Sequence, residues 1–262
     1  MNKEPLEDLK KYRSFLESIP LNKYREELKE IKWVEQDLPR ELLPLASIFQ
    51  YYWEERQFMD FDSWFDIFWH EINQNKNSKE ALKAFKKYYF DKDNNGWFKK
   101  GFRARMYRTW ISVLTQLDFC YAFEYQCALN GKNLSLEANA DLDVKGIDAR
   151  VGNIEFQVEK ISQRKEARSA SRRKSLVKIP YAVFNVEEFE RKINSPRVNK
   201  KNKISYQSTL KAFYKYFIRL KNGFVVFSDY YLNIIINNID DIDKLKKAID
   251  QIYLELSGEV MI

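Results

Sequence analysis

The most informative segment of the sequence runs from Asp141 to Lys160 and reads DLDVKGIDARVGNIEFQVEK. Apolar and polar residues alternate over residues 143–151 and again over residues 154–161, which is typical of β-strands with one buried face. Glycine and asparagine at positions 152 and 153 separate the two runs and fit a two-residue hairpin turn with glycine first. The segment therefore predicts an antiparallel hairpin.

Acidic residues gather on one face of this hairpin. Counting back from the turn predicts that Asp148 lies opposite Gln157, with Glu155 and Glu159 as diagonal neighbours on the same face. Like charges crowded on one face repel each other, and a hard divalent cation with oxygen ligands, most simply Mg²⁺, relieves that repulsion. Such an ion can activate a bound water and brace a phosphate. We therefore interpret Asp148, Glu155 and Glu159 as metal ligands.

A basic segment follows the hairpin. Between residues 164 and 174 the only acid is Glu166, and the basic residues are Arg164, Lys165, Arg168, Arg172, Arg173 and Lys174. Beside a metal site, such a cluster favours contacts with a phosphate backbone. The alternative is an ordinary amphipathic hairpin, whose acids pair with Arg150 and Lys145, followed by a solvated helix.

The period of the apolar residues changes at about residue 131. Before this change, apolar residues recur at helical spacing, and the last predicted helix there is a long one from about Gly101 to Leu129. After it, the pattern predicts strands at 133–140, 143–151, 154–161, 178–186, 224–227 and 232–236, helices at 162–176, 206–220 and 240–256, and a polar loop at 195–205. The predicted fold class is α+β with an α/β core, in the order helix, three-stranded meander, helix and strand, after a large helical N-terminal region.

Aromatic residues are unusually dense between residues 49 and 69. A surface on which nucleic-acid bases stack would need these rings to be exposed. The rings recur at helical spacing, which favours burial in a helical core. We expect this segment to pack rather than to bind.

Several functions are excluded by the residues that the chain lacks. His70 is the single histidine, so neither a Ser-His-Asp triad nor a histidine metal centre can form. Cys120 and Cys127 have no further Cys or His partners for a zinc site, and no glycine-rich nucleotide motif occurs. The net charge of +7 favours a polyanionic partner. Without a signal segment or a long apolar run, we expect a cytoplasmic protein that makes no membrane contact.

The acidic hairpin resembles the active-site hairpin of the PD-(D/E)xK nucleases. Asp148 takes the place of the motif aspartate, and Glu155-Phe-Gln157 takes the place of (D/E)xK, with Gln157 where lysine is usual. In a second register, Gln157-Val-Glu159 is the pair and Glu159 replaces the lysine. Lys160 then reaches the site only if a bulge rotates it. Counting along the hairpin does not choose between the two registers.

The resemblance covers residues 101–186, and within the superfamily the segment DVKGID at residues 143–148 is similar to TaqI-type restriction endonucleases. It implies a homodimeric type II restriction endonuclease that uses Mg²⁺ to hydrolyse double-stranded DNA at a short sequence. Residues 1–100 would serve recognition or dimerisation, and residues 101–262 would form the nuclease core. The catalytic residues would be Asp148, Glu155, Gln157, Glu159 and Lys160. The resemblance also implies that Asp143 is an additional acidic residue near the site. Strand alternation places Asp143 on the face opposite Asp148, which argues against a direct ligand role unless a bulge intervenes.

Two other classes of function remain open. The basic segment is compatible with a nucleic-acid-binding protein that has a degenerate nuclease fold and no catalysis. A helical scaffold with a small acidic sheet would have no affinity for nucleic acid at all. Magnesium-dependent nicking of a plasmid separates the first class from the enzyme.

Overall fold

The computed structural model describes residues 4–28, 38–89, 97–161, 173–183 and 185–258. The chain divides into two compact units. One, the helical unit, spans Lys10–Leu117, and the other, the sheet unit, joins residues up to Leu9 with the chain from Asp118 onward. The division falls inside one long helix.

Helices make up the regular structure of the described chain before residue 130. They are α1 (Glu4–Ser18), α2 (Leu21–Leu28), a 3-10 turn (Arg40–Leu42), α3 (Leu45–Phe49) with a π-helical continuation (Gln50–Glu54), α4 (Phe61–Gln74), α5 (Lys76–Tyr89) and α6 (Trp97–Leu129). Asp60 caps α4, because its side chain accepts a hydrogen bond of 2.8 Å from Ser63 N–H.

The aromatic segment packs into the core of the helical unit, as its spacing predicts. Trp64 and Phe68 stack with ring centroids 5.3 Å apart, and both side chains are buried. The indole N–H of Trp64 donates to Ser47 Oγ at 3.2 Å, so this large side chain is buried with its polar atom satisfied. These rings stabilise the unit and do not form an exposed stacking surface.

The sheet unit contains short strands between helices. In chain order the elements are β1 (Leu136–Glu137), α7 (Ala140–Val144), β2 (Ala149–Val151), β3 (Ile154–Lys160), β4 (Leu176–Tyr181), α8 (Val186–Asn194), α9 (Lys200–Tyr216), β5 (Phe217–Arg219), β6 (Val225–Phe227), α10 (Asp229–Asn238) and α11 (Ile242–Ser257). The protein therefore combines a large helical region with a small mixed sheet, an architecture compatible with the restriction-endonuclease-like fold.

The larger sheet has the strand order β1-β2-β3-β4. Strands β1, β2 and β3 pair antiparallel, whereas β4 runs parallel to β3. Val151 is paired with Ile154 across the turn, which confirms the register predicted from the Gly-Asn turn. Strands β5 and β6 form a separate antiparallel pair.

One face of this sheet packs against the part of α6 that belongs to the same unit. Phe156 is fully buried, and its ring centroid lies 5.5 Å from that of Phe119 and 6.0 Å from that of Phe123. Val177 and Ile179 of β4 are buried as well. Because side chains alternate along a strand, the other face of β3 carries Glu155, Gln157 and Glu159.

Several segments differ from the sequence-based expectation. The strand predicted over residues 133–140 is confined to β1, the strand predicted over 178–186 is β4 followed by the start of α8, and the helix predicted over 206–220 ends at Tyr216, after which β5 begins. The predicted strand over residues 143–151 begins only at Ala149, because residues 140–144 form α7. The predicted strand over residues 232–236 is the middle of α10, where the Ser228 side chain caps the helix by accepting from Tyr231 N–H. The isoleucine run suggested a strand, but packing of one helical face overrides that local preference. In the predicted loop at 195–205, α9 begins at Lys200 behind its cap Asn199.

Most of the helix predicted over residues 162–176 lies outside the described residues.

Among the helices that the structure does describe, none combines the length and the apolar character that crossing a bilayer requires.

Candidate active site

Asp148 is a buried carboxylate at the start of β2, with 5% of the residue exposed. Its backbone N–H donates to the Phe156 carbonyl at 2.8 Å. Its Oδ2 accepts from the backbone N–H of Val158 at 2.6 Å. The last paired residues of the β2–β3 ladder are Ala149 and Phe156, so Asp148 extends the ladder by using its side chain. The carboxylate is thereby fixed against β3.

The surroundings of Asp148 disfavour its charged form. Burial, followed by the negative charge of Asp143, raises the pKa of Asp148 to about 8, and the hydrogen bond from Val158 N–H opposes this shift only in part. At neutral pH, Asp148 without a cation is therefore mostly protonated. A cation that binds the ionised carboxylate would reverse this preference.

Asp143 reaches the site from α7 rather than from a strand. Asn139 caps α7 by accepting from Leu142 N–H at 2.9 Å, and Gly146, at φ 74°, turns the chain into β2. A helical turn rather than an extended run thus separates Asp143 from Asp148 and brings the two charges close. The expectation that strand alternation holds Asp143 away from Asp148 was wrong. Asparagine at position 139 and glycine at position 146 are the sequence signals that a short helix was present.

Glu155 and Glu159 lie on the outward face of β3, each with a partner on the β4 side. Glu155 Oε2 accepts from Ser175 Oγ at 3.2 Å. Glu159 is buried, and its Oε1 accepts from Lys178 Nζ at 3.2 Å. Its other oxygen, Oε2, is buried and finds no hydrogen-bond partner within the described chain. An unsatisfied buried carboxylate oxygen is costly, so Glu159 has capacity for a further ligand.

Gln157 lies between these two glutamates on β3. Its amide nitrogen borders Gly146, because a Cβ added to that glycine would lie 3.8 Å from it. Gln157 therefore borders the connection between α7 and β2, beside Asp148. Lys160 is exposed and alternates to the other face of β3, where it borders a cavity of about 420 Å³ with Ile161 and Tyr181. The pairing of β3 with β4 continues without a bulge from Glu155 to Lys160.

The donor set fits Mg²⁺ in chemistry, although the acids are not gathered around one point. Across the described residues, no three Asp, Glu, His or Cys side chains are placed closely enough to hold a metal ion. Mg²⁺ is commonly bound by one or two carboxylates together with waters and substrate phosphate oxygens. Asp148 with Asp143 meets that requirement, and Glu159 Oε2 is a further oxygen donor.

Of the predicted phosphate-binding residues, the structure describes Arg173 and Lys174, and both are exposed just before β4. The others lie outside the described residues: Arg164, Lys165, Arg168 and Arg172. Sequence reasoning did not single out Lys178 as a site residue. It was placed in a buried strand, and only the pairing of β4 with β3 reveals that it shares a face with Gln157.

Comparison with known proteins identifies the family of the chain. The family model of the TaqI restriction endonuclease matches residues 9–239. The chain belongs to the TaqI restriction endonuclease family. A similar relative is the type II restriction enzyme TaqI of Thermus aquaticus, 35% identical over 238 residues that cover 86% of this chain and 85% of the relative. The type II restriction enzyme TthHB8I of Thermus thermophilus is 34% identical over 238 residues, which again cover 86% of this chain and 85% of the relative. No solved structure matches the chain.

The residues discussed above all lie inside the span that matches the TaqI family. This holds for the sheet, for α7 and for the exposed basic residues before β4. The match also covers the whole of the helical unit, so it is not confined to the acidic hairpin.

Proposed function

We propose that this protein is a type II restriction endonuclease that hydrolyses phosphodiester bonds of double-stranded DNA at a short specific sequence and depends on Mg²⁺. The observation that carries the proposal is the buried carboxylate of Asp148, fixed by Val158 N–H and destabilised in its charged form by Asp143. A pair of acids held in this way is costly for a fold and useful for holding a cation. Membership of the TaqI family supplies the reaction.

Asp148 and Asp143 are the proposed ligands of Mg²⁺, and Glu159 can contribute its unsatisfied oxygen. When bound, the ion would neutralise charge on the phosphate and lower the pKa of an attacking water. Glu155, a predicted ligand, is the weaker candidate because Ser175 already donates to its carboxylate.

The remaining residues hold the reacting groups in place. Val158 N–H fixes the orientation of Asp148, so that the carboxylate requires no reorganisation when a ligand arrives. Gln157 borders Asp148 and can orient water or a phosphate oxygen through its amide. Arg173 and Lys174 are exposed just before β4 and would contact the DNA backbone. We do not assign Lys160 a role at the reacting phosphate, since it lies on the other face of β3.

The resemblance to PD-(D/E)xK nucleases extends this proposal to the architecture. The core would consist of α6, strands β1 to β3, the basic segment and β4, which is the order expected for that superfamily. The protein would act as a homodimer, because a pair of related sites suits cleavage of both strands of a palindrome.

A second candidate function is DNA binding without catalysis. It is favoured by one observation, that Glu155 and Glu159 are engaged by Ser175 and Lys178 rather than gathered around Asp148. Digestion of a plasmid of known sequence separates the two. Discrete fragments in Mg²⁺ and none in EDTA support a restriction enzyme, and a smear indicates a non-specific nuclease. Binding without any cleavage favours the second candidate.

A further inference from the structure

Lys178 lies on the acidic face of the sheet, on the strand next to the hairpin. In the parallel pairing of β3 with β4, Gln157 and Lys178 are Cα partners. Paired residues of neighbouring strands point to the same face, so Lys178 stands beside Gln157 and opposite to the buried Val177 and Ile179. This arrangement places an ammonium next to the position where the resemblance expects lysine and the chain has glutamine.

The contact of Lys178 with Glu159 keeps its ammonium inside the site. Lys178 Nζ lies 3.2 Å from Glu159 Oε1, and the two side chains are 24% and 10% exposed. One carboxylate oxygen occupies at most one of the three N–H donors of the lysine. The remaining donors can reach a substrate or water bound on this face.

Two other cations near this face are placed differently. Arg150, the Cα partner of Glu155, donates to Glu137 Oε2 through Nε at 3.1 Å and Nη2 at 2.5 Å, and is thereby held toward β1. Lys160 lies on the other face of β3. Within the described part of the sheet, Lys178 is therefore the cation best placed beside Gln157 and Glu159.

We propose that Lys178 of β4 supplies the ammonium that contacts the scissile phosphate, taking over the role that the lysine of (D/E)xK has in related enzymes. The inference rests on the proposed nuclease function. It assigns the cation to a different strand from the one in the motif, so that β3 contributes an amide through Gln157 and β4 contributes the charge.

In the proposed reaction, Lys178 acts as a hydrogen-bond donor and transfers no proton. The oxygen of a water forms a bond to phosphorus and the proton of that water passes to solvent, while the bond from phosphorus to the leaving sugar oxygen breaks and that oxygen takes up a proton from solvent. Lys178 donates hydrogen bonds to a non-bridging phosphate oxygen, whose negative charge increases in the transition state. A donor that acts in this way affects the rate more than it affects binding of DNA.

Three variants test the proposal on supercoiled plasmid, with the intact parent measured alongside. Lys178→Met removes the charge and keeps much of the stem, and we expect cleavage in Mg²⁺ to fall by about 10²–10³-fold. Lys178→Arg retains the charge and should lose less. Lys132→Met is the matched control, because Lys132 is 28% exposed and forms an ion pair of 2.8 Å with Asp240, away from the acidic face. It should cleave like the parent.

A second measurement does not depend on turnover. Titration of Mg²⁺ into the DNA-free protein, followed by calorimetry, should give equal or tighter binding to Lys178→Met than to the parent, because an ammonium repels a neighbouring cation. A residue that merely supports the metal ligands would give weaker binding when replaced. Affinity for the plasmid in EDTA should change by less than about threefold, which is the split expected of a group that acts in the transition state.

Chemical rescue separates a lost charge from a damaged fold. Lys178→Cys, treated with 2-bromoethylamine, regains an ammonium on a side chain of similar length, and Cys120 and Cys127 are buried. We expect cleavage to recover at least tenfold within one folded sample, while the treated parent is unchanged.

Cleavage by Lys178→Met at the parent's rate, or a failed rescue of correctly folded protein, overturns the assignment of Lys178 and leaves the nuclease proposal standing. A parent that cleaves no plasmid in Mg²⁺ overturns both.

Discussion

Asp62 in the helical unit is a partly exposed acid and Asp148 in the sheet unit is a buried one, and their surroundings shift the two pKa values in opposite directions. Asp62 Oδ2 accepts from Lys23 Nζ at 2.8 Å, and Arg103 donates to its other oxygen. Burial alone would raise the pKa of Asp62, but these two hydrogen bonds, the positive charge of Arg103 and a hydrogen bond from Tyr24 together lower it. Asp148 is more deeply buried, and its neighbour Asp143 is another acid that raises its pKa further.

The ionised form of Asp62 therefore stabilises the fold, whereas the ionised form of Asp148 destabilises it. Around Asp62 the protein supplies its own cations, so nothing has to be added from outside. The contacts of Asp148 include one backbone N–H, and the carboxylate of Asp143 acts on it electrostatically. A buried acid whose charged form is disfavoured in this way is typical of functional sites. A cation from solution would favour the ionised form of Asp148.

The largest expected effect is loss of cleavage when Asp148 cannot ionise. Asp148→Asn keeps an acceptor for Val158 N–H but removes the charge, so we expect plasmid cleavage in Mg²⁺ to fall by about 10³-fold or more. Asp62→Asn should cleave within a few-fold of the parent, since Asp62 is already paired. Cleavage by Asp148→Asn at the parent's rate would mean that the contrast between the two acids has no functional meaning.

The second effect is on stability as a function of pH, measured by urea unfolding in EDTA. The folded pKa of Asp148 is about 8 and its ordinary value is 3.8. Between these values the folded chain binds more protons than the unfolded chain, so the contribution of Asp148 to stability falls as pH rises from about 4 to 8. Asp148→Asn should therefore gain stability over the parent across this range, by an amount on the order of a few kcal/mol.

Adding Mg²⁺ should narrow the difference in stability between the parent and Asp148→Asn. The parent gains stability through metal binding, and Asp148→Asn gains much less. Asp141→Asn is the matched control, because Asp141 lies on the same short helix as Asp143 but is exposed. Its stability should follow that of the parent at every pH. A parent whose stability is flat between pH 4 and 8 would contradict the raised pKa of Asp148.

The third effect is a loss of stability in Asp62→Asn, which is opposite in sign to the gain expected for Asp148→Asn and smaller. Asp62→Asn should destabilise the protein at neutral pH by about 1 kcal/mol, because it breaks an exposed, screened ion pair together with its hydrogen bonds. The pKa of Asp62 is lowered in the folded state, so its contribution is complete above about pH 4 and is lost as pH falls. Urea unfolding at pH 7 and pH 3 measures this, and a mutational cost that is equal at both values would contradict it.

The smallest effect concerns the exposed cations before β4. Replacing Arg173 and Lys174 together by Ala should lower the slope of log affinity against log salt for plasmid DNA by about 1.8, at about 0.9 for each phosphate contact. Lys132→Ala, which removes a cation paired with Asp240, should leave the slope unchanged. Binding to a filter at several salt concentrations gives the slopes. An unchanged slope in the double variant would assign Arg173 and Lys174 to solvated surface.

The sequence predicted the part of the site that depends on local geometry. The Gly-Asn turn at residues 152–153 fixes the register of β2 with β3, because a two-residue turn leaves little freedom in pairing. The position of Asp148 opposite Gln157 was predictable for that reason. The helical aromatic core was also predictable, since apolar spacing at the helical period is a strong signal over many residues.

Two features of the site were missed. One depends on competition between helix and strand within a short segment, and the other depends on the pairing of strands that are not joined by a tight turn. The residues of α7 alternate like a strand, and the cap at Asn139 with the turn at Gly146 decides for a helix instead. Asp143 was therefore placed on the wrong face. The pairing of Lys178 with Gln157 was missed because the parallel strands β3 and β4 are joined by a crossover connection. The length of such a connection does not determine the pairing, as a tight turn does. Parallel pairing is set by the packing of the whole sheet.

The rung between Val158 N–H and Asp148 Oδ2 joins the sheet to the chemistry of the site. An ordinary rung ends on a peptide carbonyl, whose acceptor strength does not vary between pH 4 and 8. This rung ends on a group whose electron density changes with each proton or cation that it takes up. The amide proton of Val158 is thus a native spectroscopic reporter, since its chemical shift and its exchange with deuterium would follow the state of Asp148 without any label.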